Sequence, residues 1–323
     1  MNTKRHTPFA RATVSPFLSG VANRSRRSSQ VMALPFGDIG SLFGRVLVVV
    51  AHQDDETACA VLLQRAQTAR VVFGTDGAPS AEFFWSRYGS RHRYADIRHA
   101  EALASLGVIG ITDTVFLEQS RDHVRIHDQE LFRCLDGAIA ALAEVVDRFK
   151  PDALLAPAYE GGHPDHDVCS FLVSTVGRNL GIPRWEMPLY YRSPSGTLVH
   201  QQFRVPLGAE ILLNPTALEL QRRDEMLGKY ASQPDVRVFV KSHVERFRPQ
   251  PEYDYSKPPH PGTLNYEFWK WPMTGRDLCA AFSACTSQLS QSDQSSPQST
   301  DSWAGCPFSG AGTRSLLQSV QND

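Results

Sequence analysis

The 323-residue sequence predicts an α/β protein with a Rossmann-like, mostly parallel sheet flanked by helices. Two observations point there. Strand-length apolar runs take turns with longer segments of helical period, the signature of βαβ units and not of a sandwich or an antiparallel barrel. Two of the helical segments also stop where chain chemistry requires it, one at Gly107 and one just before Pro151. In order, the strands are expected at 45–51 (RVLVVVA), 70–74 (RVVFG), 114–117 (TVFL), 153–157 (ALLAP) and 188–191 (PLYY), and the helices at about 55–67, 91–106, 128–149 and 166–180. A hairpin at 197–213, a helix from about 215 to 230 and an aromatic, Pro-rich stretch from Arg248 to Pro272 follow. No internal repeat is evident.

The two ends differ from this pattern. Lys4, Arg5, Arg11, Arg24, Arg26 and Arg27 precede the first acid, Asp38, without helical or strand period. Residues 1–40 are therefore expected to be a disordered basic extension, with a transit-like leader or a true start at Met32 as the other readings. Thr286 to Ser302 is almost entirely Ser, Gln, Thr and Asp, so 283–323 is expected to be a disordered tail and 41–282 the folded domain.

Composition excludes several classes. The hydrophobic share of 41% fits a globular chain, and 33 basic against 34 acidic residues, net −1, leave no field to attract nucleic acid or anionic membrane. No apolar run approaches the roughly 18 residues of a membrane span. The six cysteines are scattered, with no close C-x-x-C pair, and are expected to be reduced thiols of a cytoplasmic protein. A neutral or mixed small molecule is the expected partner. The sequence does not set the oligomeric state.

The chemistry sits in two clusters. His52-Gln53-Asp54-Asp55-Glu56 follows the first strand and His163-Pro164-Asp165-His166 follows the fourth, so imidazoles and carboxylates arrive at strand ends, where open α/β sheets place their sites. Adjacent acids after a strand are usually helix caps, and HPDH alone is a plausible turn. It is their coincidence in one α/β unit that favours a metal site. A hydrolytic metal site needs three protein ligands and one open position. The economical division makes His52, Asp55 and His166 the ligands and leaves Asp54 as general base. His163, as imidazolium, is then an oxyanion stabiliser or general acid, and Asp165 orients a histidine.

AHQDDE resembles the AHPDDE signature of the LmbE/PIG-L family of zinc-dependent N-acetylglucosaminyl deacetylases, and GGHPDH resembles its second metal motif, within a likeness covering about 45–247. The resemblance implies the same division: zinc on His52, Asp55 and His166, with Asp54 as base. It also implies hydrolysis of an N-acetyl or other N-acyl group of a glucosamine-type glycoconjugate. Thr75-Asp76-Gly77 is similar to the family's T-x-G loop at the pocket rim, and Arg98-x-x-Glu101 before Leu106-Gly107 to its R-x-x-E helix, so Arg98, Asp76 and Gly77 are the substrate-contact candidates. Lys229 to Gln233 and Glu245 to Phe247 resemble its closing segments.

Two positions depart from the pattern. Gln53 stands where the family has proline, which removes some preset backbone rigidity. Gly161 stands where some relatives carry a tyrosine that assists at the carbonyl, with Tyr159 nearby. The aromatic stretch with Tyr253, Tyr255, Tyr266, Trp269 and Trp271 is expected to be packing in preference to a sugar lid. Zinc and ferrous iron both suit two imidazoles and a carboxylate. The rivals are an H-x-D…H non-haem iron oxygenase, disfavoured because those sites sit in antiparallel jelly rolls, and a non-catalytic metal or carbohydrate-binding protein.

Overall fold

The computed structural model describes residues 39–117, 125–207 and 210–295. The basic extension to residue 38, and the chain from 296 on, lie outside them. Along the chain come α1 (Ile39–Phe43), β1 (Arg45–Val50), α2 (Ala60–Arg65), β2 (Thr68–Phe73), α3 (Arg91–Val108), β3 (Thr114–Phe116), α4 (Leu135–Phe149), β4 (Ala153–Pro157) and α5 (Pro164–Leu180). They continue with β5 (Arg184–Met187), β6 (Tyr190–Arg192), β7 (Leu198–His200), β8 (Ile211–Leu213), α6 (Ala217–Leu227), α7 (Val236–Phe239), β9 (Glu245–Pro249), α8 (Asn265–Phe268) and α9 (Gly275–Ser295).

The main sheet has the order β3-β2-β1-β4-β5-β9-β8. Its first five strands pair in parallel, while β9 pairs antiparallel with both β5 and β8. The unbroken apolar run of β1 has a direct cause. Leu47 and Val49 pack into one core layer with α4, α5 and α9, and Val46, Val48 and Val50 into the other with α2, α3 and α6. A strand covered on both faces has no polar side to alternate with. Strand order reverses between β1 and β4, so the crevice at their carboxyl ends is the topological switch point where such sheets bind ligands.

The sequence misplaces the far half of the sheet. Its fifth strand is Arg184–Met187 (RWEM), not PLYY; Tyr190–Arg192 instead pairs with Leu198–His200 in a separate two-stranded hairpin. RWEM has no apolar run because Glu186, fully buried, is paired with Arg248 of β9 at 2.6 Å. The hairpin expected at 197–213 is likewise split, since β8 joins β9 across the chain.

The helix expected over 128–149 begins only at Leu135. Past 282, α9 runs through to Ser295, with Leu278, Phe282 and Cys285 in the core and Leu289 packed against it. Sparse apolar residues at helical spacing suffice once α4 and α5 provide a surface. The five described cysteines are all free. Among the described residues no helix is long and apolar enough to cross a membrane.

Buried acids on the β5/β9 side predict how stability depends on pH. Burial pushes Glu186 up to about 7 and Glu245 up to about 8, although Arg248 and the amides of Val61 and Leu62 oppose the shift. The folded chain thus holds protons that the unfolded chain has already lost, and the cost of ionising these groups inside grows as pH rises through that window. Burial pushes His99 and His260 down to about 4, so stability tied to them falls only on the acid side of 6.5. Between about pH 6.5 and 8 the raised acids act together with His52, whose pKa is also held above the usual histidine value, and all of them lose stability in the same direction. The metal-free protein should therefore lose melting temperature over that range, and Glu245→Gln should flatten the slope in a calorimetric series. A melting temperature that rose across the range would contradict the sign.

Candidate active site

Both motifs end at the switch-point crevice. After β1 the chain turns at His52 and enters a 3-10 turn, Asp55–Cys59, with Asp54 at φ 128°, a conformation costly for any residue with a side chain. That backbone is gripped from several sides. Glu56 Oε2 accepts the Asp54 N–H at 3.0 Å, and the Thr57 hydroxyl donates to the Asp54 carbonyl at 2.6 Å. Glu56 is itself fully buried and accepts from Ser105 Oγ (2.8 Å) and Tyr230 Oη (2.5 Å). After β4, His163 caps α5 and Pro164 takes the first helical position, where its missing N–H costs nothing. Gly162 permits this turn: a Cβ there would lie 1.9 Å from the Tyr190 carbonyl oxygen.

The imidazoles that the two motifs deliver are neighbours. Ring centroids lie 4.3 Å apart for His52 and His163, and 5.2 Å for His52 and His166. Asp55 Oδ2 lies 3.1 Å from His166 Nε2 and 3.4 Å from His52 Nδ1. Two donors about 2.0–2.1 Å from a tetrahedral zinc are themselves about 3.4 Å apart, close to the spacing of both carboxylate–imidazole contacts. The three histidines also form one possible ligand group, and His52, Asp128, His163 and Asp165 form another. Asp128 Oδ1 makes contacts as short, 3.3 Å to both His52 Nε2 and His163 Nε2, whereas the Asp55 set uses His52 Nδ1 and leaves Nε2 to be held from behind.

That hold comes from two acids. Asp165 Oδ2 and Asp128 Oδ1 each lie 3.3 Å from His52 Nε2. Asp165 also accepts the N–H groups of Gln129 (2.6 Å) and Leu131 (3.2 Å), fixing the loop that carries Asp128. Burial alone would lower His52, but Asp128, Asp165 and Asp55 outweigh it and hold its pKa well above the usual histidine value. Asp55 is pulled well below the carboxylate range by His166 and His52 despite its burial.

His163 differs from the sequence expectation. Its Nδ1 accepts the Asp165 N–H at 3.2 Å, which assigns the ring proton to Nε2, 3.3 Å from Asp128 Oδ1. Burial and the adjacent His52 push its pKa down to about 4, so the ring is a neutral N–H donor at pH 7 and not the expected imidazolium.

Asp54 lines the cavity on the other side. Burial pushes it up to about 7 against the pull of Arg98, whose guanidinium lies 3.2 Å from Asp54 Oδ2. Arg98 also donates to the carbonyls of Gly77 and Gln53. Asp76 and Gly77, expected at the pocket rim, are not on the cavity wall. Asp76 is fully buried, accepting the Ala78 N–H at 2.8 Å and pairing with His127 Nδ1 at 2.7 Å. Gly77 is pressed against Gln53 and Arg98, where a Cβ would meet Gln53 Oε1 at 2.2 Å. The Gly77 carbonyl holds Arg98, which a side chain at position 77 would displace, and Asp76 holds the turn through Ala78 and His127. Gln53 recovers part of the rigidity that proline would give, since its buried amide donates to the Thr75 carbonyl at 2.8 Å.

Three cavity residues were missed in the sequence. Asp128 was assigned to a helix that starts later. Tyr190 was assigned to the main sheet, and its ring lies 5.4 Å from that of His166. Trp271 was assigned to packing, and its ring meets His163 edge-on at 4.8 Å. Tyr159 points away, donating to the Lys257 carbonyl at 2.9 Å. The weak matches gain partners too: Glu101 binds the N–H and hydroxyl of Ser232, and Glu245 accepts the Val61 and Leu62 amides at the start of α2.

Residues 47–176 match the family model PIG-L, described as GlcNAc-PI de-N-acetylase. The chain carries a PIG-L (LmbE-like) domain. This PIG-L domain holds both motif loops and the switch-point strands β1 and β4. Among solved structures, a triple mutant of a deacetylase from the teicoplanin biosynthetic pathway is 15% identical, with a TM-score of 0.50, covering 65% of this chain and 99% of that one. A deacetylase–teicoplanin complex from the same pathway is also 15% identical, with a TM-score of 0.50, covering 64% of this chain and 97% of that one. At such identities the likeness concerns the fold, a mostly parallel mixed sheet flanked by helices. Curated proteins give no match.

Proposed function

We propose that this PIG-L-domain protein is a metal-dependent hydrolase that removes an N-acetyl or other N-acyl group from a glucosamine-type glycoconjugate. The observation that carries the reading is the Asp55 carboxylate oxygen within 3.4 Å of imidazole nitrogens from both motifs, beside an Asp54 whose carboxylate pairs with Arg98. The family description and the two teicoplanin-pathway deacetylases support amide hydrolysis as the reaction.

His52, Asp55 and His166 would hold the ion, zinc or ferrous iron. When bound, it lowers the pKa of a water from 15.7 to about 7 and polarises the amide carbonyl. Asp54, poised near neutrality by burial, takes the proton of the attacking water, and Arg98 keeps its carboxylate aimed. His163 carries one N–H, at Nε2, which Asp128 holds before substrate arrives and which turns to the oxyanion that forms at the carbonyl. As the C–N bond breaks, Asp54 returns the proton to the departing nitrogen, leaving a carboxylate product and a free amine. A neutral His163 cannot serve as that acid without becoming an anion. The general-acid role first given to it therefore passes to Asp54.

Purified protein supplied with zinc should release acetate from an N-acetylglucosamine glycoside, and a chelator should stop it. Dependence on oxygen and 2-oxoglutarate would favour the oxygenase, and no acetate from a broad panel of N-acyl amino sugars would favour a binding protein.

A further inference from the structure

The cavity above the Asp55 centre, about 380 Å³, has a polar floor and an aromatic side. Asp54, Asp55, Asp128 and the three histidines make the floor. The aromatic side starts on the histidines themselves, with Trp271 against His163 and Tyr190 against His166. It continues outward through Trp269, 5.2 Å from Trp271, and Phe239, 5.2 Å from Tyr190. At the rim, Trp269 is 37% and Phe84 42% exposed. Rings this exposed, grouped on one side of a cavity, form the kind of apolar patch that marks a ligand-binding groove.

The wall is built into the catalytic loop. Asn265 at the start of α8 donates its backbone N–H to Gly161 O (2.8 Å) and its side chain to Gly162 O (2.9 Å), both beside His163. Arg192 of β6 stacks on Phe268 at 3.7 Å and donates to Asn265 Oδ1, locking α8 to the strand that carries Tyr190. α8 ends in a Schellman turn, with Trp271 N–H to Tyr266 O and Lys270 N–H to Glu267 O. Lys270 takes the left-handed position, φ 59°, that glycine usually fills. Holding a lysine there costs about 1 kcal/mol and presents both flanking tryptophans to one cavity.

From this geometry we infer that the substrate carries an apolar, preferably aromatic, group within a few bonds of the scissile amide, and that Trp269, Phe239 and Tyr190 select for it. This rests on the amide-hydrolase reading. A small polar amino sugar satisfies the floor and leaves the wall wet. An apolar substituent covers it, and each matched methylene in such a pocket discriminates by about tenfold or more. The substituent can be the acyl chain or the aglycone, and both would meet the same wall.

The test compares kcat/KM of the zinc-loaded protein on three substrates: methyl N-acetylglucosaminide, its phenyl glycoside, and the methyl glycoside bearing N-hexanoyl in place of N-acetyl. At least about tenfold preference for the phenyl glycoside assigns the wall to the aglycone, and the same preference for the hexanoyl amide assigns it to the acyl group. In Trp269→Ala, and in Phe239→Leu as the gentler change, the preferred ratio should collapse to within about threefold, with thermal melts confirming that both fold. Equal or better turnover of the methyl N-acetyl substrate by the parent chain overturns the inference. If no substrate is turned over, the hydrolase reading fails, and quenching of intrinsic tryptophan fluorescence decides the wall separately. Quenching by phenyl or hexanoyl but not by methyl N-acetyl ligand sustains the inference, and no difference between them overturns it.

Discussion

Asp54→Asn should lower kcat by about 10²- to 10⁴-fold, the range expected when a positioned general base is removed. Metal content should not change. Asp54 points to Arg98 and lies outside the His52/Asp55/His166 contacts, so the ion would keep its donors. The fold should also tolerate the change. Asn is among the non-glycine residues most often found at positive φ, and the grip of Glu56 and Thr57 on this position acts through backbone atoms. Arg98, losing an anionic partner, keeps the carbonyls of Gly77 and Gln53. Elemental analysis beside steady-state kinetics separates the outcomes. A kcat within about threefold of the parent at full metal content would remove Asp54 from the base role.

Asp165→Asn should weaken zinc affinity by about 10- to 100-fold, the usual effect of losing the group that orients a ligating imidazole. Asp165 is fully buried and serves three partners at once: His52 Nε2 and the amides of Gln129 and Leu131. An asparagine offers one acceptor oxygen, and its NH₂ faces a group that is already a donor. His52 loses its orientation, and the 129–131 loop relaxes, moving Asp128 away from His163. Competition with a chromophoric chelator reads the affinity. Excess zinc should restore occupancy while kcat stays below the parent, because Asp128 no longer fixes His163. Unchanged affinity would show that His52 is oriented by Asp128 alone. Zinc must also displace the proton that Asp128, Asp165 and Asp55 hold on His52, so affinity in the parent should fall as pH drops.

Much of the centre was legible because its chemistry is local in sequence. His52 and Asp55 share one turn, His163 and His166 another, and each follows a strand that is apolar throughout. The residues that adjust the centre were not legible. Asp128 lies in a segment of helical composition that stays a loop because Asp165 binds its amides. Asp76 reads as a rim residue by motif, yet its carboxylate is used up by Ala78 and His127. RWEM hides as a strand because its buried Glu186 needs an arginine 62 residues away.

The sequence by itself determined the α/β class, the two motif turns and the identity of the converging imidazoles and carboxylates, since strand length, apolar continuity and turn chemistry depend on near neighbours. Tertiary structure alone decided which protons those groups carry and what covers them. His163 is neutral because burial and His52 surround it, and Trp269 and Trp271 face the cavity because α8 is bound to the Gly161–Gly162 loop. Charge state and exposure depend on neighbours distant along the chain, so no local pattern encodes them.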